Sequence, residues 1–338
     1  MYSIEDLKKD IIDLTEELRS RISFQDVKRQ FTALNFPSAN GWGKLLENFS
    51  KISATDLGEE LEELKKNLGK ILRSYLLYTD KSVSIYQRSE YLNILYQNLD
   101  QSITTNPNEL CFESHNTLGD LEFFIYKTTR VFYEKVEIDI NLFDEEYGNV
   151  QQAYAIKSVM HECYDSIIFN KNKGYIVLSL DRAERSNTAI LNKARAKLVR
   201  KLNDGIRGIT PEARLSESGD NLFPAIEKFY HDNSGEVTSL AFLTLSGTSH
   251  HEKLHKTCPD VRQAVYHIAG SSATPIEPYR ISIRYDLKDQ QPEIFLLGSF
   301  RAMNTRAARQ LFEAQIQGAT NRKSFEFCID KIIEFIQR

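Results

Sequence analysis

Apolar positions recur at helical spacing from the first residues of the chain. Ile4, Leu7, Ile11, Leu14 and Leu18 fall on one face of a 3.6-residue period, which predicts an amphipathic helix over 4–21. A second helix is predicted over 24–34, ending where Pro37 disfavours a helical residue before it. The turn formers of 37–41 lead to a third helix over 42–49. Longer helical patterns follow at 57–77 and 88–100, with a short strand at 82–86 between them.

The cluster Thr104-Thr105-Asn106-Pro107-Asn108 breaks this pattern. Beyond it, β-branched and aromatic residues predict strands at 121–126, 131–140, 166–169 and 175–180. A helix at 188–202 follows the last pair. The same order recurs later: strands at 280–287 and 293–297, then a helix at 305–317. Between the two units lie a Gly/Ser/Pro-containing connector (205–221), a helix at 222–231 and an apolar strand at 237–245. A final helix is predicted at 325–336.

The chain therefore reads as α+β. An N-terminal helical domain (1–104) precedes a mixed-sheet domain (105–338) with two strand–turn–strand–helix units and a further division near 205–221. The length of 338 residues suits about two domains. With 41% apolar and 27% charged residues the composition is that of a globular protein. The N-terminus lacks the basic and apolar regions of a secretory signal, and no apolar run reaches the ~18 residues of a membrane span. Cys111, Cys163, Cys258 and Cys328 are widely spaced, as reduced thiols of a cytoplasmic protein would be.

Charge sharpens this picture by its placement. The net charge is −4, yet residues 131–165 hold eight acids against two lysines, a balance of −6. Residues 182–214 hold nine Lys/Arg against three acids, +6, and residues 299–323 hold five against one, +4. On a helix through 188–204, Leu191, Ala194, Leu198 and Leu202 share one face. Lys193, Lys197 and Arg200 project from the other, with Lys201 on its flank. Arg306 and Arg309 take the outward direction in the second predicted helix, and Arg280 and Arg284 alternate away from Ile281 and Ile283 on their strand. Cations gathered on one surface can track a phosphate backbone without reading sequence; otherwise they are a solvated face.

The string His251-Glu252-Lys253-Leu254-His255 matches H-E-x-x-H. On a helix its histidines share a face and can bind zinc, while the glutamate acts as general base on a metal-bound water. Cys258 is a candidate third ligand and His250 a further one. The string resembles that of the zinc peptidases, although Lys253, Lys256 and Pro259 make a cationic, helix-breaking setting for it. Residues 24–49 are loosely similar to a SAP-type DNA-binding helical hairpin, through Val27, Phe31, Leu45, Leu46 and Phe49, but carry only Lys28, Arg29 and Lys44 as bases. Trp42 reads as a core anchor. P-loop, dinucleotide and nucleophile-elbow motifs are absent from the sequence. His161–Asp165 reads as a strand edge, and Asp144-Glu145-Glu146 as a solvated turn.

The leading expectation is a non-catalytic binding protein that contacts DNA or RNA phosphates through Lys193, Lys197, Arg200, Lys201, Arg280, Arg284, Arg306 and Arg309, with the N-terminal helices open to a protein partner. One alternative is a zinc-dependent hydrolase using His251, His255 and Cys258 as ligands and Glu252 as base. A second is a protein-interaction scaffold.

Overall fold

The computed structural model describes the chain apart from residues 1–3, 23, 35, 52–57, 88–89, 100, 102–105, 107–108, 140–150, 183–186, 255–258, 289, 304–308 and 338. The expected domain boundary at 104–108 lies almost wholly outside the described residues. The chain is α+β, a helical N-terminal region followed by antiparallel sheet with helices. It forms two compact bodies, one of residues 1–83 with 221–338 and the other of residues 84–220. Among the described residues no helix is long and apolar enough to cross a membrane.

The first body begins with four helices: α1 (Ile4–Arg21), α2 (Phe24–Ala33), α3 (Trp42–Ser50) and α4 (Gly58–Tyr78). Their apolar stripes meet in one cluster that includes Leu7, Ile11, Leu18, Val27, Phe31, Leu45, Phe49, Leu61 and Leu68. Trp42 packs edge-on against Phe24 and Phe31, at ring distances of 5.4 and 5.8 Å. Its indole N–H donates to the Ile22 carbonyl at 3.2 Å, so the sole tryptophan of the chain anchors this core.

The sheet of this body runs in the order β1 (Lys81–Gln87, whose residues after Val83 belong to the second body), β10 (Ala314–Gln317), β9 (Glu293–Leu297), β8 (Ile276–Arg284), β6 (Glu236–Thr244) and β7 (Ser249–Lys253). Val237 stands opposite Ile283, and Ile283 opposite Ile294. All three are fully buried. Helices α7 (Ala225–His231) and α10 (Arg322–Gln337) supply aromatic contacts, with Phe229 edge-on to Phe335 at 4.7 Å and Phe327 edge-on to Tyr285 at 5.0 Å.

The helix predicted over 305–317 is corrected here. Residues 305–308 lie outside the described set, but Ala314–Gln317 is a strand held between β1 and β9. The helix that follows β9 is the short α9 (Phe300–Met303). Ala and Gln favour helix locally, and two flanking strands outweigh that preference.

Glu293 on β9 is half-buried and accepts a hydrogen bond from the Thr238 hydroxyl. Burial raises its pKa above the ordinary carboxylate range despite that bond and the nearby Arg284. The folded state thus binds this proton more tightly than the unfolded chain, and stability falls as pH rises through the window above the ordinary value. Glu293→Gln is expected to raise stability at pH 7 by up to about 1 kcal/mol. Urea titrations should show that gain fading once the solution is acidic enough to protonate the glutamate in both states.

In the second body the strand order is β2 (Cys111–Leu118), β3 (Leu121–Ile138), β4 (Ala153–Asn170) and β5 (Tyr175–Asp181). Strands predicted separately at 121–126 and 131–140 are one continuous strand as far as Ile138, residue 140 lying outside the described residues. The strand predicted at 166–169 is only the end of β4. β3 and β4 pair in unbroken register from Leu121↔Asn170 to Ile138↔Ala153. Helices α5 (Leu92–Gln97) and α6 (Thr188–Gly205) join the inner sheet residues Phe124, Tyr126, Ile167, Phe169, Ile176 and Leu178 in a single core.

Candidate nucleic-acid interface

Helix α6 starts at Asn187, whose side chain accepts the Ile190 N–H at 3.0 Å, a standard cap for an otherwise unsatisfied donor. The buried row is Leu191, Ala194, Arg195, Leu198, Val199 and Leu202. The apolar period alone does not signal Arg195 on this face; it donates to Asn192 Oδ1 at 2.8 Å. On the opposite side Lys193, Lys197 and Arg200 are exposed, and Lys201 is half-buried on the flank. At about 1.5 Å rise per residue, the three exposed cations span about 10 Å of helix.

The arginines of the first body are occupied differently. Arg280 is half-buried and donates from Nε to the Gly298 carbonyl at 3.3 Å. Arg284 pairs with Glu236 at 3.1 Å. Arg309 pairs with Glu277 and lies 5.9 Å from the Phe223 ring, beside a hollow of about 350 Å3 lined also by Pro224, Glu227, Ile276 and Pro278. Arg306 lies outside the described residues. Each of the three described arginines serves a carboxylate or a carbonyl; the α6 row is set apart by its exposure along one helix face. In the helical hairpin, Lys28 is exposed and Lys44 pairs with Glu47 at 3.0 Å. Hydrogen bonds from Lys51 and Lys44 bring the Glu47 carboxyl down to about 2.

The H-E-x-x-H string takes a different form from the helix its chemistry requires. Ser249–Lys253 is strand β7, paired with β6 through Ala241↔His251 and Leu240↔Glu252. Successive side chains of a strand point to opposite faces, so His251 and Glu252 diverge. His251 Nε2 lies 3.1 Å from Ser239 Oγ, and His250 stacks on Phe242 at 5.3 Å. His255 and Cys258 lie outside the described residues. Among the described residues no group of three or more His, Cys, Asp and Glu side chains is placed to hold a metal ion.

Glu252 instead joins a chain that the sequence did not reveal. Its Oε2 is 2.7 Å from Nδ1 of the buried His267, whose Nε2 is 3.0 Å from the Tyr230 hydroxyl. Burial is the main cause that pushes the Tyr230 pKa up. Arg262 braces the same region, donating to Asp260 and to the carbonyls of Tyr230, Asp232 and Gly235 at 2.6–2.9 Å. The His267–Glu252 contact ties α8 (Val265–Ala273) to β7, and Arg262 ties the turn before α8 to the end of α7 and the loop after it. No residue spacing could have signalled this arrangement, because its members come from α7, β7 and α8.

No family model matches the chain, and no curated protein matches it in sequence.

Proposed function

We propose that the protein is a non-catalytic binder of nucleic-acid phosphates, with α6 as its contact surface. The carrying observation is the exposed row Lys193–Lys197–Arg200 on a helix whose opposite face is locked into the core. Duplex DNA presents a phosphate about every 3.4 Å of axis on each strand, so a row of this length can reach two or three phosphates. Such contacts release counterions, are independent of base sequence and weaken with salt.

Fluorescence anisotropy with a labelled duplex and a labelled single-stranded RNA tests this reading. Binding should weaken with added salt, with a slope of about −2 to −3 in log K against log[salt] for two to three duplex phosphates. The triple variant Lys193→Glu, Lys197→Glu, Arg200→Glu should lose at least about 100-fold in affinity with its circular dichroism unchanged, since each reversal replaces an attraction by a repulsion. Absence of binding to either probe at low salt defeats the proposal.

A further inference from the structure

Beyond Lys127 the pairing of β3 with β2 stops, and before Ser166 no described strand pairs with the outer edge of β4. From residue 128 to 138, with 153 to 163 opposite, the hairpin is a two-stranded ribbon. Such ribbons are marginal in water unless another layer covers them. Cross-strand partners share a face, so the register Val131↔Met160, Tyr133↔Ser158, Lys135↔Ile156 and Glu137↔Tyr154 defines one surface. Its apolar members are largely open: Val131 38%, Tyr133 72%, Tyr154 49%, Ile156 72% and Met160 74% exposed. The reverse face is covered at its root, with Phe132 at 1% and Arg130 at 6%, and its one open large apolar residue among those described is Val136 at 39%.

We infer that this face is a homodimer interface, covered by the same face of a second copy of the chain. An exposed apolar patch of this kind marks an association surface. The ribbon itself is neutral, with Arg130, Lys135 and Lys157 against Glu134, Glu137 and Glu162, so it carries no positive field that would draw a polyanion to it. The charges at its two ends select another copy. Toward the root the face continues with Thr129↔Glu162 and Lys127↔Tyr164, and Lys127 bridges to Glu162 at 2.5 Å.

A two-fold axis between the Val131 and Tyr133 rungs lays two ribbons antiparallel. Val131 and Met160 then meet Tyr133 and Ser158 of the other copy. The same axis brings Lys127 opposite the second copy's Glu137, and sets Glu162 diagonally across from its Lys135, one strand over on the facing rung. The next register toward the tip puts Glu137 in that diagonal position beside Glu162 and is repelled, so charge favours the first alignment. This is the self-complementarity that an isologous interface demands. The five apolar side chains expose roughly 500–600 Å2 per ribbon on aromatic areas of about 150–250 Å2 each. With the flanking charged residues, two copies bury about 1,200–1,600 Å2, the size of a specific interface.

Sedimentation velocity of the full chain over about 1–100 μM is the test. A concentration-dependent dimer is expected, and Tyr133→Ser with Ile156→Ser should weaken it by at least about 100-fold. Lys135→Glu alone should weaken it about tenfold, and Glu162→Lys alone likewise, because each change counts twice in a two-fold dimer. An equimolar mixture of these two variants should regain the dimer as a heterodimer, since both cross-copy pairs become attractive again. These exposed substitutions keep the test independent of any folding defect in the apolar variant. A monomer throughout the range overturns the inference. So does a dimer indifferent to all the substitutions, or a mixture no tighter than its components.

Discussion

Replacing Asp165 by alanine is expected to cost about 3–5 kcal/mol of stability. Asp165 and Arg130 are buried at 0% and 6% exposure, and the guanidinium donates to both carboxylate oxygens. Arg130 also donates to the Asp181 carbonyl. Asp165 Oδ1 in turn accepts the Asp181 N–H at 2.9 Å, and Asp181 Oδ2 accepts the Tyr164 N–H at 3.1 Å. Burial opposes the charge of Arg130, but the carboxylates of Asp165 and Asp181 outweigh it and hold its pKa above the ordinary arginine value. The alanine variant therefore strands a charge that cannot be discharged inside the second body. Urea unfolding measures the loss. The double variant Arg130→Met, Asp165→Leu should recover most of it, because apolar groups of similar volume replace a buried ion pair at little net cost. A single variant within about 1 kcal/mol of the parent would show that water reaches this pair.

Gly298→Ala is expected to cost about 3 kcal/mol or more. A Cβ at this position would stand 2.0 Å from the Tyr279 carbonyl oxygen and 3.3 Å from Phe223 Cε2. The first obstacle is backbone of a paired strand: β8 and β9 are in register at Arg280↔Leu297, and Arg280 donates to the Gly298 carbonyl. Relief of the clash must pull the two strands apart. Gly69, inside α4 with no neighbouring atom within 4 Å of where an added methyl would stand, supplies the contrast. Gly69→Ala should stabilise by up to about 1 kcal/mol through helix propensity alone. Thermal melts of the two variants should therefore move in opposite directions, and a neutral Gly298→Ala would contradict the tight strand contact.

The N-terminal helices are legible in the sequence because their stripes are regular: Leu7, Ile11 and Leu18 sit where the period puts them, and all three are buried. The outward row of α6 is legible for the same reason. The failures share a different cause. β7 reads Ser-His-His-Glu-Lys, with no apolar alternation, and is a strand only because β6 offers it an edge. The outer part of β4, from Ala153 to Asp165, mixes Lys157, Ser158, His161 and Glu162 with its apolar residues, so local composition marks β4 as strand only at its end. Its conformation is imposed by β3, 18 rungs long. Arg130 and Asp165 are 35 positions apart; the strand register, with Tyr126 opposite Asp165 and Arg130 opposite His161, puts them on one face, where the long arginine side chain reaches back to the carboxylate. Nonlocal pairing leaves little trace in local composition.

The Arg130–Asp165 ion pair also gives the ribbon a mechanical root. At about 3.4 Å per residue, the segment from residue 128 to 138 is a cantilever of roughly 35 Å. A load on its outer end arrives at the root as torque, multiplied by that length. The planar guanidinium of Arg130 meets this torque, with Nη2 on the Asp165 carboxylate and Nη1 on the Asp181 carbonyl, where β3, β4 and β5 are bound together. Two hydrogen-bonded directions in one plane resist sliding and splaying of the strands, which a greasy contact at the same place would permit.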